Sequence, residues 1–195
     1  NVLRSVDEAF SPTGGLKILN GNLGRSVVKI SAVKEEHYVI RARAQVFSDQ
    51  NKVVEAFKRK ELNKDVIVVV KNQGPQANGM PELHKLTPSL SILQNQGFKV
   101  ALVTDARMSG ASGKIPAAIH LTPESMNGGP IAKIQSGDLL ELNANTGQLN
   151  CLENGFTDRT IEQHNIIGQQ GVGRELFAQI RPLISQSELG ASFII

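Results

Sequence analysis

A loop at residues 104–114 gathers residue types that can bind an anion or take part in a reaction. It carries cationic and hydroxyl side chains and glycines directly after an apolar run, so backbone amides can face the same ligand. The loop does not match the G-x-S-x-G elbow of hydrolases, because Arg107 and Ala111 occupy the two glycine positions. It does not match a Walker A loop either, because Ile115 follows the lysine. The spacing alone is equally compatible with a structural turn and with a ligand-binding loop.

The loop at residues 71–82 ends in a carboxylate, Glu82, at the predicted first turn of a helix. A Glu at this position complements the positive end of the helix dipole, and the spacing favours this structural interpretation. The alternative is a metal role, since Mg²⁺ prefers carboxylate oxygen and Glu82 could supply one ligand of an incomplete site. His84 and His120 have no second His or Cys at metal-binding spacing, so packing or surface roles are predicted for them.

Both loops follow predicted buried strands. Residues 66–70 and 99–104 are apolar runs typical of strands that are covered on both faces. A helix is predicted between them over residues 81–95, with Gly97 as its C-terminal cap. A strand-helix-strand unit of this kind is expected to be parallel and right-handed, so both loops leave the same edge of the sheet, where ligands usually bind.

The chain before these strands is predicted to be irregular at first and then to form a hairpin. Residues 1–24 are rich in Gly, Asn and Pro and are interpreted as an irregular lead-in. Residues 25–33 and 37–47 alternate apolar and polar side chains, which predicts two strands joined as a β-hairpin. Ser48 is predicted to cap a helix that continues to about Leu62.

The later part of the chain is predicted to be mainly β. Short strands are expected at residues 115–121, 131–134, 139–143 and 149–152, with a hairpin turn at residues 145–147. A closing helix is predicted over residues 173–185, with a buried side formed by Leu176, Phe177, Ile180, Leu183 and Ile184. The predicted fold class is α/β: a mixed, β-barrel-like, swivelling β/β/α domain with peripheral helices, formed as a single domain by residues 25–195.

Composition limits the classes of function. The chain has 195 residues, 40% of them hydrophobic, which suits one compact core. Its 21 basic and 18 acidic residues are scattered, and only 4% of residues are aromatic, so nucleic-acid binding is not predicted. No apolar stretch approaches the roughly 20 residues of a membrane-spanning helix. A cytoplasmic location without membrane attachment is therefore predicted.

The single cysteine, Cys151, limits the metal chemistry of the chain. It excludes an intrachain disulfide, and one thiolate cannot by itself hold an iron–sulfur cluster. The chain begins with Asn1 rather than Met, so it is expected to be part of a longer protein. Residues elsewhere in that protein must then complete any metal site.

The order of the motifs between Val66 and Gly137 resembles the dihydroxy-acid and 6-phosphogluconate dehydratase family. The matching segments are Asn72-Gln73-Gly74-Pro75, Gly79-Met80-Pro81-Glu82, the loop at residues 104–114 and Gly128-Gly129-Pro130. Residues 111–120, 173–178 and 188–192 are closer to the 6-phosphogluconate branch of the family. One position departs from the family pattern: Ala106 replaces a Gly, and its methyl group would perturb a turn that requires a positive φ.

The resemblance implies a hydro-lyase that uses an iron–sulfur cluster, expected to be 4Fe-4S, and Mg²⁺. In the family, the cluster cysteines and most metal ligands lie on an N-terminal domain that is absent here. The implied reaction converts 6-phospho-D-gluconate to 2-dehydro-3-deoxy-6-phosphogluconate in the Entner-Doudoroff pathway, in a homodimeric enzyme. Alternatives are a dehydratase of another aldonic or 2,3-dihydroxy acid and a noncatalytic assembly module.

The resemblance also implies roles for individual residues. Ser109 would be the base that removes the C2 proton, and Glu82 a Mg²⁺ ligand that faces the substrate across the domain boundary. A serine is a very weak base at neutral pH, so neighbouring cations must stabilise its alkoxide. An iron of the cluster would act as Lewis acid on the C3 hydroxyl, while Mg²⁺ would stabilise the charge on the carboxylate side. The expected substrate-binding residues are Arg107, Ser112 and Lys114, and the chain alone is expected to be inactive.

Overall fold

A closed β-barrel forms the centre of the protein. The computed structural model describes residues 3–10, 14–109, 113–161, 171 and 173–194. The strands are β1 (Leu16–Gly21), β2 (Gly24–Lys29), β3 (Val39–Phe47), β4 (Val66–Val70), β5 (Val100–Thr104), β6 (Ala117–Thr122), β7 (Leu139–Asn143) and β8 (Gln148–Cys151). They are hydrogen-bonded around the barrel in the order β1-β2-β6-β5-β4-β3-β7-β8. The predicted α/β class with a mixed, barrel-like sheet is confirmed.

Short helices lie outside the barrel. The α-helices in the described part of the chain are α1 (Gln50–Lys58), α2 (Pro75–Asn78), α3 (Thr87–Asn95) and α4 (Arg174–Ala178). Short 3-10 turns accompany them, including His84–Leu86, Pro130–Lys133 and Phe156–Asp158. None of the described helices has the length and apolarity that a membrane crossing requires.

Strands β4 and β5 are buried on both faces, as their continuous apolar runs predicted. Ile67 and Val69 point into the barrel, where they belong to the inner core. Val66, Val68 and Val70 belong to a second core outside the barrel, shared with residues of α1 and α3. Each strand therefore joins the two cores, which is why every residue of β4 and β5 is buried.

Four adjacent strands of the barrel, β3 to β6, are mutually parallel. The register pairs Phe47 with Val70 and Val70 with Thr104, so β3, β4 and β5 end level with one another. The loops that follow these strands consequently leave the sheet at one place, called here the carboxyl edge. This confirms the predicted parallel pairing of β4 and β5.

The prediction for the first strands was wrong in its pairing. β2 pairs with β1 and β6, and β3 pairs with β4 and β7, so β2 and β3 do not form a hairpin. β1 also lies inside the segment that was predicted to be an irregular lead-in. The Asn and Gly residues there form the tight turn at 21–24 of the β1-β2 hairpin rather than a longer loop.

Three further predictions need correction. Helix α1 is capped by Asp49 rather than Ser48, since the Asp49 carboxylate accepts a 2.8 Å hydrogen bond from the Asn51 N–H. The helix predicted over residues 81–95 begins later, as the 3-10 turn His84–Leu86 followed by α3, so Glu82 precedes it. Residues predicted as a strand at 131–134 instead form a 3-10 turn, which Pro130 begins.

The predicted closing helix is also shorter and more exposed than expected. Helix α4 spans Arg174–Ala178, and Leu176, Phe177 and Leu183 are 69%, 55% and 71% exposed. Within the described residues no element covers these side chains, so their helical spacing did not lead to burial. The β7-β8 hairpin and the end of α3 before Gly97, which has a φ of +95°, are confirmed.

Candidate functional site

The loops that follow β4 and β5 meet at the carboxyl edge. Glu82 and Arg107 form an isolated parallel β-bridge, in which the Leu83 N–H donates to the Arg107 carbonyl at 3.1 Å. The Arg107 Nε donates to the Met80 carbonyl at 2.9 Å. Backbone and side chain of Arg107 together join the two loops, which confirms that they converge.

The carboxylate of Glu82 is the centre of this junction. Its Oε1 accepts hydrogen bonds from the Ser109 N–H at 2.7 Å and from the His84 N–H at 3.0 Å. Its Oε2 lies 3.4 Å from Arg107 Nη1, and 32% of the side chain is exposed. The structure thus brings Glu82, Arg107 and Ser109 together. Glu82 precedes a short 3-10 turn instead of lying in the first turn of an α-helix.

Ser109 is exposed and borders a cavity of about 310 Å³. Most of the cavity wall is apolar, with contributions from Leu16, Val27, Met108, Ile115, Ala117 and Ile119. Its polar lining consists of Lys29, Ser109 and His120. A small organic acid beside Ser109 would therefore contact a few polar groups against an apolar wall.

His120 lies at this cavity in an unusual backbone conformation. Its φ is +56°, and its N–H donates to the Ala106 carbonyl at 2.9 Å. Burial lowers the pKa of the half-buried imidazole, and the positive charge of Arg107 lowers it further, so the ring is neutral at neutral pH. The sequence predicted only a packing or surface role and contained no signal for this position.

The other predicted substrate residues do not all lie beside Glu82. Lys114 is exposed, and its carbonyl accepts a 3.0 Å hydrogen bond from Gln94 in the last turn of α3. Ser112 lies outside the described residues. Arg107 is 56% exposed at its side chain and already bound to Glu82 and Met80. Substrate contacts by Arg107, Ser112 and Lys114 remain predictions.

Ala106 is accommodated without strain. Among the described residues, Ala106 is not one of the non-glycine residues that have a positive φ. Its methyl group is fully buried in the second core, outside the barrel. Its N–H donates to Thr104 Oγ1 at 3.0 Å. The expected disturbance of the turn therefore does not occur, because the backbone at this position suits an L-residue.

A buried aspartate lies behind the junction. Asp105 is fully buried, and its Oδ1 and Oδ2 accept hydrogen bonds from the Gln73 and Ser125 N–H groups at 2.9 and 3.0 Å. Burial raises the pKa of Asp105, and the hydrogen bonds from Ser125 and Gln73 oppose that rise. The carboxyl group links the loops that follow β4 and β6.

A second buried acid, Glu124, follows β6. It is 1% exposed, and its two oxygens accept hydrogen bonds from the Gln76 and Ala77 N–H groups of α2 at 2.9 and 3.2 Å. Burial raises the pKa of Glu124, the two N–H groups oppose the rise, and the nearby Asp105 adds to it. Sequence reasoning missed both acids as site components, although Asp105 follows β5 directly and Glu124 follows β6 after one proline.

The site offers one side chain that is suited to bind a hard metal ion. Glu82 offers a partly exposed carboxylate, the donor type that Mg²⁺ prefers. Among the described residues there is no cluster of three or more His, Cys, Asp or Glu side chains that could hold a metal. Glu82 therefore suits a site to which other residues contribute.

The chain does not fit an iron–sulfur cluster. Cys151, its single cysteine, lies in the inner core of the barrel and is 3% exposed. Burial raises the pKa of its thiol, which disfavours the thiolate needed for iron binding. Cys151 is therefore a core residue.

Comparison with known proteins gives matches over nearly the whole chain. The family model described as dihydroxy-acid/6-phosphogluconate dehydratase C-terminal matches residues 1–191. Phosphogluconate dehydratase of Pseudomonas aeruginosa is 52% identical over 192 residues, which cover 97% of this chain and 32% of that protein. Phosphogluconate dehydratase of Escherichia coli K12 is 49% identical over 197 residues, covering 100% of this chain and 33% of that protein.

A more distant relative has a different name. Dihydroxy-acid dehydratase of Acetivibrio thermocellus is 38% identical over 152 residues, which cover 76% of this chain and 27% of that protein. The chain spans about a third of the length of the curated relatives that it matches.

Proposed function

The chain belongs to the dihydroxy-acid/6-phosphogluconate dehydratase family and matches the C-terminal part of that family. From this premise we propose that it forms part of a lyase that dehydrates 6-phosphogluconate. The observation that carries the proposal is the junction of Glu82, Arg107 and Ser109 at the carboxyl edge. The names of the relatives from Pseudomonas and Escherichia support this substrate. Because the chain is about a third of their length, the reaction belongs to the longer protein.

In the proposed reaction Ser109 removes the proton from C2 of the sugar acid. Its hydroxyl must lose its own proton first, and nearby cations must stabilise the alkoxide. Arg107 lies in the same loop and pairs with Glu82, so further positive charge must come from the rest of the longer protein. The electron pair left at C2 forms the C2–C3 double bond as hydroxide leaves C3. The proton taken from C2 converts the hydroxide to water, which returns Ser109 to its alkoxide. The resulting enol then tautomerises to a 2-keto-3-deoxy acid.

Glu82 has two tasks in this proposal. Its Oε1 holds the backbone of Ser109 through the 2.7 Å hydrogen bond, which orients the base. Its carboxylate would also supply one ligand to Mg²⁺, an ion that would neutralise charge on the substrate carboxylate when bound. The remaining ligands and the iron–sulfur cluster are assigned to the N-terminal part of the longer protein, since this chain has one cysteine.

The phosphate of the substrate is assigned to Arg107, Ser112 and Lys114. Two cations and a hydroxyl are the groups that commonly bind phosphate. The second candidate substrate is an aliphatic 2,3-dihydroxy acid, because the cavity beside Ser109 has a mainly apolar wall. A homodimeric assembly, a cytoplasmic location and a place in the Entner-Doudoroff pathway stay predictions.

The test is anaerobic formation of 2-keto acid by the full-length protein, with 6-phosphogluconate, unphosphorylated gluconate and an aliphatic dihydroxy acid as substrates. Ser109→Ala is expected to lower kcat by about a thousandfold or more, the scale of losing a base that acts in the transition state. Ser31→Ala removes an exposed hydroxyl in a turn and serves as the matched control.

Each result has a separate meaning. Activity on 6-phosphogluconate that is lost in Ser109→Ala and kept in Ser31→Ala supports both the substrate and the base. Preference for the aliphatic acid transfers the proposal to the second substrate, and full activity of Ser109→Ala moves the base to another residue.

A further inference from the structure

Two buried carboxylates lie directly behind the Glu82 junction. Asp105 follows β5 and Glu124 follows β6, so both lie at the carboxyl edge. Each is almost completely buried, and in each case both carboxylate oxygens accept a backbone N–H. Neither is paired with a cation in its described contacts. A buried carboxylate with this arrangement is stabilised mainly by the backbone N–H groups that donate hydrogen bonds to it.

Glu124 holds the segment that leads to Glu82. Its oxygens bind the N–H groups of Gln76 and Ala77 in the only turn of α2. The chain then reverses at Gly79, which has a φ of +70°, and the Met80 N–H donates back to the Gly74 carbonyl at 3.3 Å. Two residues later the chain reaches Glu82, so the position of α2 sets the position of that carboxylate.

Asp105 holds the other side of the junction. It lies two residues before Arg107 and binds the Gln73 N–H of the loop after β4. Its second oxygen binds the Ser125 N–H, while Ser125 Oγ accepts from the Asn72 N–H at 3.1 Å. The loops after β4, β5 and β6 are therefore joined to each other through side chains and not only through the sheet.

We propose that Asp105 and Glu124 are positioning residues, which hold the loops after β4, β5 and β6 together so that Glu82 and Ser109 are presented at one point of the carboxyl edge. This inference rests on the proposed function, which makes that point of the carboxyl edge the place where the substrate reacts. The positioning itself concerns only the three loops and can be measured without turnover.

The hydrogen-bond pattern separates a positioning role from simple filling of space. An amide has the size of a carboxylate but only one acceptor oxygen, and its NH₂ group is a donor. In Glu124→Gln or Asp105→Asn that NH₂ group would face a backbone N–H, which leaves two donors opposed in a buried site. The amide variants should therefore resemble truncations, although they fill the same volume.

The experiment compares Glu124→Gln and Asp105→Asn with wild type in the full-length protein. Asp138→Asn is the matched control, because Asp138 is also a buried carboxylate that accepts a backbone N–H, here from Gln135. Its described contacts do not include Glu82 or α2. One readout is amide hydrogen exchange in residues 75–83 and 105–109, and the other is the Mg²⁺ concentration that gives half-maximal thermal stabilisation.

Glu124→Gln is expected to speed exchange in residues 75–83 by about tenfold or more, the scale of a lost hydrogen bond to a charged group. Asp105→Asn is expected to have the same effect on residues 105–109. Both variants are expected to raise the Mg²⁺ midpoint by about tenfold, because Glu82 is no longer held in place. Asp138→Asn should change neither quantity beyond its general effect on melting temperature.

If Glu124→Gln and Asp105→Asn exchange the amides of residues 75–83 and 105–109 no faster than Asp138→Asn does, the proposal is overturned. Faster exchange with an unchanged Mg²⁺ midpoint would overturn it as well. If wild type itself is not stabilised by Mg²⁺, the metal role of Glu82 fails and the exchange comparison alone decides the positioning. If a variant does not fold, Glu124→Asp provides the second test. It retains both acceptor oxygens on a shorter side chain, so exchange closer to wild type than in Glu124→Gln is expected.

Discussion

Gly74 is the residue at which the backbone of the loop after β4 lies against the carboxylate of Glu124. A Cβ atom added to Gly74 would lie 2.1 Å from Glu124 Oε2 and 2.6 Å from its Cδ. Gly74 has a φ of −66°, so the requirement for glycine here comes from close approach and not from the backbone conformation. The buried carboxylate of Glu124 therefore occupies the space that a side chain at position 74 would need.

Gly74→Ala is predicted to destabilise the chain by about 2 kcal/mol, the usual cost of forcing an atom into a filled site. Gly14→Ala is the matched control, because a Cβ there would meet nothing within 4 Å. The measurement is the free energy of unfolding in urea for both variants and wild type. Equal stability of the two variants would contradict the close contact between Gly74 and Glu124.

At the scale of elements, the start of β7 is held by an ion pair. Arg159 follows the 3-10 turn Phe156–Asp158 and binds Asp138 through two hydrogen bonds of 2.5 and 3.0 Å. The Asp138 carbonyl accepts from the Ala44 N–H of β3 at 2.7 Å. Asp138 therefore connects the turn, the start of β7 and β3.

This ion pair makes a specific contribution to the pH dependence of stability. Burial acts to raise the pKa of Asp138, but the hydrogen bonds from Arg159 and Gln135 outweigh it, and the pKa is lowered overall. The unfolded chain then binds a proton at higher pH than the folded one. The stabilisation is complete above the unfolded pKa of about 3.9 and is lost as the pH falls through the folded pKa.

Asp138→Asn is predicted to cost about 2 kcal/mol at pH 7, the scale of hydrogen bonds to a charged partner. The difference from wild type should shrink as the pH is lowered below about 4, because the unfolded wild-type chain binds a proton at Asp138 there while the folded chain does so only at lower pH. Urea unfolding of both proteins at several pH values between 7 and 3 measures this. A difference that stays constant over the whole range would contradict the assigned role of the charge.

At the scale of the whole molecule, two features concern the surface of the described chain. Glu82 and Ser109 are gathered at one edge of the barrel, but the described residues contain no further metal-binding cluster. Several large apolar side chains are also exposed near the end of the chain: Leu176, Phe177, Leu183, Leu189, Phe193 and Ile194. Both features are expected for a domain that works against another part of a longer protein.

The isolated chain is therefore predicted to form no 2-keto acid from 6-phosphogluconate under anaerobic conditions, whereas the full-length protein does. A binding titration with the same sugar acid accompanies this assay. Saturable binding that is weakened by replacing Ser109 or Lys114 would indicate a partly preformed substrate site. Measurable dehydration by the chain alone would refute the need for the missing part.

Local sequence was sufficient for the centre of the fold. The continuous apolar runs of β4 and β5 predicted strands covered on both faces, and the helix between them predicted a parallel pair. Because β4 and β5 are parallel, the loop that ends in Glu82 and the loop that contains Ser109 leave the same edge of the sheet. The resemblance to a family added the roles proposed for those two residues.

Only the tertiary structure determined which residues hold that edge together. Asp105 and Gln73 are 32 residues apart, and Glu124 and Gln76 are 48 apart, so no local pattern relates them. The pairing of β2 with β6 likewise joins strands that are far apart in sequence, and it depends on closure of the barrel. A carboxylate in a loop has the same sequence signature whether it faces water or backbone amides, and only the packing of distant strands decides between them.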